Sequence, residues 1–207
     1  MVISLDKIIK DYDLKIKGVI HIGAHWGQEY KDYARHGILN LMFFEPAKNN
    51  FEMLKARLPE DDNVKLFNLA LGNEVGTKEM FIETRNNGQS NSILEPRLHL
   101  KQYPWISFDK KEEIRIDRLD NIPFDSTLYN MINIDTQGYE LEVFKGAVNT
   151  LNYIDIIYSE VNLDEVYKGC AKVDEIDLFL SQLGFDRVLT DWIGKTWGDA
   201  LYLKNKI

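Results

Sequence analysis

A chain of 207 residues suits one domain whose core needs no covalent staples, and its single cysteine, Cys170, excludes both an internal disulfide and a thiolate metal cage. A formal net charge of -8 excludes general affinity for nucleic acid or an anionic membrane, because either needs a basic face. Residues 1–17 hold no signal-peptide core and no apolar run approaches the ~20 residues of a spanning helix, so a cytoplasmic domain, whole or cut from a longer protein, is expected.

In chain order, residues 5–12 read as a short amphipathic helix and 18–22 as a buried strand. Residues 28–36 follow as a helix stopped by Gly37, and 41–44 as a second strand. Phe51, Leu54 and Leu58 recur at helical spacing through 49–58, which Pro59 ends. A third strand spans 64–71, and the polar–apolar alternation of 77–84 suits an antiparallel or edge strand. Regularity fails from 85 to 111, where a turn-rich Asn86–Ser92 stretch precedes the aromatic Tyr103-Pro104-Trp105; so long a loop reads as an ordered cover over a site. Strands at 112–119, 129–134, 154–158, 185–189 and 200–203 then alternate with helices at 140–147 and 173–183. The pattern predicts one α/β domain over 1–207, with a mostly parallel sheet covered on both faces.

In such a sheet, ligands sit at the carboxyl ends of the strands. The first strand runs into Gly23-Ala24-His25-Trp26-Gly27, and the second ends in Glu45-Pro46 roughly twenty residues later. This β-turn-α-β unit offers glycine backbone to a nucleoside ligand and a carboxylate to its ribose hydroxyls. Asp135 and Glu160 close two further strands, with Gln137, Gly138 and Asn162 beside them. His21 lies within the first strand, where it either packs inward or meets the ligand, and His25 lies in the turn.

Together these segments resemble the FkbM family of S-adenosylmethionine-dependent methyltransferases. The similarity runs from about Gly18 to Asn162 through Gly23-Ala24-His25-Trp26-Gly27, Glu45-Pro46, Ala70-Leu71-Gly72 and the 134–146 stretch Ile-Asp-Thr-Gln-Gly-Tyr-Glu-Leu-Glu-Val-Phe-Lys-Gly. His21, Gln137 and Phe144 depart from the family's commoner Asp, Glu and Leu. The resemblance implies a Rossmann-like class I methyltransferase fold, a seven-stranded sheet in which 196–204 is the antiparallel strand. It also implies O-methylation of a sugar, glycan or natural-product hydroxyl, with S-adenosylhomocysteine as product. By position, His21, Gly23, Ala24, Gly27, Glu45, Pro46, Ala70 and Leu71 would hold the cofactor, with Asp135 near its reactive end.

An alcohol is a poor nucleophile, so a base is expected, with Asp135 first, Glu160 second and His25 third. Tyr103, Trp105, Gln137, Asn162 and Trp192 are the candidate acceptor contacts, in the covering loop and at strand ends. Asp135, Glu160 and Asn162 offer oxygen ligands suited to Mg2+, although hydrogen bonds to sugar hydroxyls account for them equally well. The turn is not Gly-x-Gly-x-x-Gly, which disfavours an NAD-dependent oxidoreductase. A non-catalytic cofactor-binding scaffold is the remaining alternative.

Overall fold

Residues 3–193 and 195–205 are described by the computed structural model of the protein; Met1, Val2, Gly194, Lys206 and Ile207, which fall within the expected single domain, lie outside the described residues. Helix α1 (Leu5–Tyr12) is opened by Ser4, whose hydroxyl accepts the Lys7 N–H, and closed by Asp13 in the left-handed region. Then follow β1 (Gly18–Ile22), α2 (Tyr30–Arg35), β2 (Asn40–Phe44), α3 (Lys48–Arg57) and β3 (Val64–Phe67). Next come β4 (Ala70–Leu71), β5 (Gly76–Ile82), α4 (Leu98–Gln102), β6 (Lys110–Asp117), β7 (Met131–Ile134) and α5 (Glu140–Lys145). The chain closes with β8 (Ile156–Asn162), α6 (Val173–Ser181), β9 (Phe185–Ile193) and β10 (Trp197–Lys204).

Seven strands form one sheet in the order β3-β2-β1-β7-β8-β10-β9. The pairs among β3, β2, β1, β7 and β8 are parallel, and β10 runs antiparallel to both its neighbours, as expected for 196–204. The central strands are buried on both faces, which is why Val19-Ile20 and Ile132 read as apolar runs and not as alternation. One face packs α1, α2 and α3 through Leu5, Ile8, Tyr33 and Leu54. The opposite face takes α5 and α6 through Val143, Phe144, Ile176 and Leu180. Among the described residues no helix is long and apolar enough to cross a membrane.

The expected third strand, 64–71, is in fact two. Asn68 turns the chain by donating its side-chain amide to the carbonyls of Glu45 and Pro46, both at 2.9 Å. Ala70-Leu71 then pair with β6 in a separate three-stranded sheet, β4-β6-β5. That sheet lays Met80, Ile114 and Ile116 on the same core as Ile20, Ile22 and Phe44. Its position walls one side of the cleft where winding reverses between β1 and β7.

Candidate active site

A cavity of about 480 Å³ opens at the carboxyl ends of β1, β2, β7 and β8. Its geometry begins at Gly23. The N–H groups of Gly23 and Ala24 both donate to the Phe44 carbonyl, at 2.9 and 3.0 Å, bending the chain over the end of β2. Gly23 sits at φ +78°, and a Cβ there would lie 1.8 Å from the Asp135 carbonyl oxygen. Only glycine permits that approach between the first strand's exit and the fourth central strand's end. Gly27 has another role: its Cβ position faces Leu54 of α3 at 2.7 Å, and it does not line the cavity.

Glu45 is 4% exposed and lines the cavity. Its carboxylate accepts the N–H of His25 at 2.8 Å and of Ala47 at 2.9 Å, so the second strand's acid clamps the first turn. Burial pushes this carboxyl up to about 8, against the pull of those N–H groups. Pro46, Ala70 and Leu71 line the same side. His21 borders the cavity but packs against Tyr33 and Phe43; burial holds its imidazole down at about 4. His25 has both ring nitrogens engaged, Nε2 donating to the Asn87 carbonyl at 2.8 Å and Nδ1 accepting from Gln28 at 2.7 Å. A ring so occupied pins the covering loop and is poorly placed to take a proton.

Across the reversal point lie Asp135, just after β7, and Glu160 and Asp199, on β8 and β10. Asp135 faces the open cavity, while Glu160 and Asp199 are buried in its wall. The amide of Gln137 joins the first two, its Nε2 donating to Asp135 Oδ1 at 2.6 Å and to Glu160 Oε2 at 2.8 Å. The Tyr167 hydroxyl donates to Gln137 Oε1 at 2.7 Å and so sets which end of the amide meets the carboxylates. Gln137 sits at φ +55°, a left-handed conformation uncommon for its type. Burial raises both Asp135 and Glu160, and Glu160 further, because Asp135, Glu140 and Asp199 repel its charge. Of the two, Glu160 is the more strongly raised, and the pair shares its titration.

The oxygen set expected for Mg2+ is not assembled as anticipated. Asn162 is fully buried and does not line the cavity, and its side-chain nitrogen and oxygen find no hydrogen-bond partner among the described residues. Among the described residues, the carboxylates within 4.8 Å of one another are instead those of Asp135, Glu140 and Glu160. Glu140 is committed to the turn, accepting the Thr136 N–H and hydroxyl and the Gly138 N–H. The Gln137 amide nitrogen stands between the other two, supplying donors where a cation would supply charge.

The first part of the covering loop is held at two points. Glu83 accepts the N–H groups of Arg85, Asn86 and Gly88, and Ser92 donates to the Gln137 carbonyl at 2.8 Å. From it Tyr103 and Trp105 reach the cavity as expected. Trp192 does not; it lies on the edge strand β9, 36% exposed and packed beside Gly198. The tryptophan at the rim is Trp197, whose indole N–H donates to the Tyr103 hydroxyl at 3.0 Å. Residues that sequence reasoning passed over are Trp197 and Asp199 on β10, His99 on α4, and Tyr158 and Tyr167 around the acid group. Cys170 is buried against the Gly138 turn, and burial raises its thiol, as befits an inert side chain.

So many buried carboxyls set the pH response of the fold. Glu45 and Glu140, both buried, are pushed up to about 8 and about 7. The unfolded chain ionises them near their ordinary values, so their stabilisation is complete below about pH 4.5 and is lost as pH rises to about 8. His21 and His99 act oppositely, but their contribution is complete by about pH 6.5. Between pH 6.5 and 8 the melting midpoint should therefore fall, by roughly 5–15 °C at up to ~1.4 kcal/mol per carboxyl per unit. A midpoint that is flat or rises over this interval would contradict the assignment of these groups.

The sheet order, with one antiparallel strand next to the edge and a cleft at the winding reversal, defines a class I methyltransferase fold. A model of the methyltransferase FkbM domain matches residues 21–187, and the chain belongs to that family of S-adenosylmethionine-dependent methyltransferases. The 2-O-methyltransferase NoeI of Sinorhizobium fredii (strain NBRC 101917 / NGR234) is 27% identical over 160 residues, 73% of this chain. The match spans 65% of that relative's length. Among solved structures, magnesium protoporphyrin IX methyltransferase of Synechocystis PCC 6803, with bound SAM, superposes with a TM-score of 0.55 at 9% identity, over 97% of this chain and 76% of that one. A Burkholderia thailandensis 1,6-didemethyltoxoflavin-N1-methyltransferase bound to S-adenosylhomocysteine gives 0.53 at 8%, over 97% and 76%. At such identities the likeness concerns the fold alone.

Proposed function

We propose that this protein is an O-methyltransferase that carries the methyl group of S-adenosylmethionine to a hydroxyl of a sugar, glycan or related small molecule. One observation carries the reading: a single cavity joins the Gly23 and Glu45 side of the sheet to the Asp135 and Glu160 side. The 2-O-methyltransferase relative supports oxygen as the acceptor atom.

The residues present fit the donor. Gly23 lines the cavity with bare backbone, and Glu45 is a buried carboxylate whose two N–H bonds leave further lone pairs. Two ribose hydroxyls would satisfy them and lower the cost of its charge. Leu71 and Ala70 offer an apolar edge for the adenine, and Gly23 and Ala24 the path for the methionine part.

S-adenosylmethionine, when bound, supplies an electrophilic methyl on a sulfonium that leaves as a neutral thioether. The chain's own work is to hold the acceptor oxygen in line, to exclude water, and to take one proton. As the new carbon–oxygen bond forms and the carbon–sulfur bond breaks, the hydroxyl proton passes to Asp135. Gln137 keeps that carboxylate fixed and ties it to Glu160. The Asn86–Asn91 loop and Trp105 close over the reactants.

Calorimetry with S-adenosylhomocysteine and with NAD tests the donor: the first should bind and the second should not. Glu45→Gln should weaken S-adenosylhomocysteine by roughly 10–100-fold, the worth of a hydrogen bond to a charged partner. Unchanged affinity in that variant would remove Glu45 from the ribose.

A further inference from the structure

Resting on the O-methyltransferase reading, we propose that the acceptor carries no phosphate or carboxylate near the reacting oxygen: it is an uncharged or amine-bearing glycoside, and sugar nucleotides and uronates are refused. On the acceptor side the cavity is lined by Asp135, Glu160 and Asp199, and among the described residues its lining holds neither lysine nor arginine. Recognition of a phosphate or carboxylate ordinarily needs a guanidinium, an ammonium, or a nest of backbone N–H groups.

The nests around this cavity are already filled by the chain's own acids. Glu140 takes the N–H groups of Thr136 and Gly138 in the turn after β7. Glu83 takes those of Arg85, Asn86 and Gly88 in the covering loop. Glu45 takes those of His25 and Ala47 at the end of β2. Beside the reacting oxygen an anion on the acceptor would find these donors occupied and the Asp135 and Asp199 side chains facing it.

What the acceptor side does offer is hydrogen-bond acceptors and flat apolar rings. Asp135 and Asp199 offer acceptors to hydroxyl or ammonium groups, and Asp199 is oriented by the Tyr158 hydroxyl. At the mouth, Trp105 is 65% exposed, edge-on to Tyr103 at 5.5 Å, and Tyr103 is fixed in turn by Trp197. An exposed tryptophan held in a wall of aromatic side chains offers a platform to the apolar face of a sugar ring, and to an ammonium group as well. The reaction that supplies such an acceptor is one that has already discarded its phosphate, as glycosyl transfer from a nucleotide-linked donor does.

The test uses the whole protein saturated with S-adenosylhomocysteine, titrated calorimetrically with four hexose derivatives: a methyl hexoside, its 2-amino analogue, the hexuronate and the nucleoside-diphosphate hexose. Turnover of the same compounds with labelled S-adenosylmethionine is measured in parallel. The neutral and amino compounds should bind at least roughly 30-fold more tightly than the two anionic ones, the scale of like-charge rejection in a closed site. Asp199→Asn should narrow that gap. Anionic compounds bound within threefold of the neutral one, or no binding by any of the four, would overturn the charge class alone. Failure of S-adenosylhomocysteine itself to bind would instead overturn the donor reading, and this inference with it.

Discussion

Asp135→Asn should lower kcat by about 10²–10⁴-fold, the range a positioned general base contributes. Its affinity for S-adenosylhomocysteine should change by less than about threefold. The substitution is nearly isosteric, and the amide oxygen of asparagine still accepts the Gln137 N–H that now lies 2.6 Å from Asp135 Oδ1. Only the capacity to take a proton is removed. Glu160→Gln provides the contrast. That glutamate is held protonated by burial and by the charges around it, so a neutral amide resembles its resting form. A loss below about tenfold is expected there, because the general-base contribution remains with Asp135. Single-turnover rates and calorimetry on both variants check the pair. A large loss of cofactor affinity in Asp135→Asn would make Asp135 an anchor for the donor's amino group, and equal losses in both variants would make the base shared.

Gly23→Ala is expected to have the largest effect on stability. The added Cβ would stand 1.8 Å from the Asp135 carbonyl oxygen, which is backbone and cannot rotate away, and φ +78° is unfavourable for alanine. The left-handed penalty of about 1–2 kcal/mol and an overpacking cost of about 1–3 kcal/mol add to roughly 2–5 kcal/mol, or a midpoint lowered by about 5–20 °C. Whatever shift relieves the clash also moves Asp135, so activity should fall with stability. Gly37→Ala separates the two causes, since φ is +70° there but nothing lies within 4 Å of the new methyl. It should cost only about 1–2 kcal/mol. Differential scanning fluorimetry reads both; a Gly23→Ala midpoint within 2 °C of the parent would show that the strand ends are not so tightly apposed.

Much of the fold was legible because its signals are local. Helix α1 falls on Leu5–Tyr12 as its periodicity predicts, and the apolar runs at 18–22 and 129–134 lie where buried parallel strands are found. Split strand 64–71 was not legible, because its break depends on Asn68 reaching carbonyls more than twenty residues away. The same holds for Gly27, whose motif position matches a cofactor turn but whose missing Cβ serves Leu54. Strand β9 runs four residues past the expected 189 because its partner β10 extends that far, and an edge strand with exposed polar residues carries little signal of its own.

The candidate site divides along the same line. Glycine and carboxylate at the ends of β1, β2, β7 and β8 could be placed from the chain alone, since parallel strands bring their carboxyl ends to one rim. Trp197 and Asp199 come to that rim for the opposite reason: β10 is antiparallel, so its first residues lie where the others' last residues do. The expected reversal of 196–204 already contained that consequence, yet Trp192, one strand farther out, drew the attention.

By itself the sequence determined the family, the order of the seven-stranded sheet's strands along the chain, and the places of Glu45, Asp135 and Glu160, because motif spacing and hydrophobic period act over a few residues. Only the tertiary structure decided that Gln137 joins two carboxyls, that His25 is spent on the covering loop, and that the chain's own glutamates fill the N–H nests around the cavity. Those are contacts between groups distant in the chain or turned by backbone conformation, and their partners are selected by packing, which no local pattern of residues records.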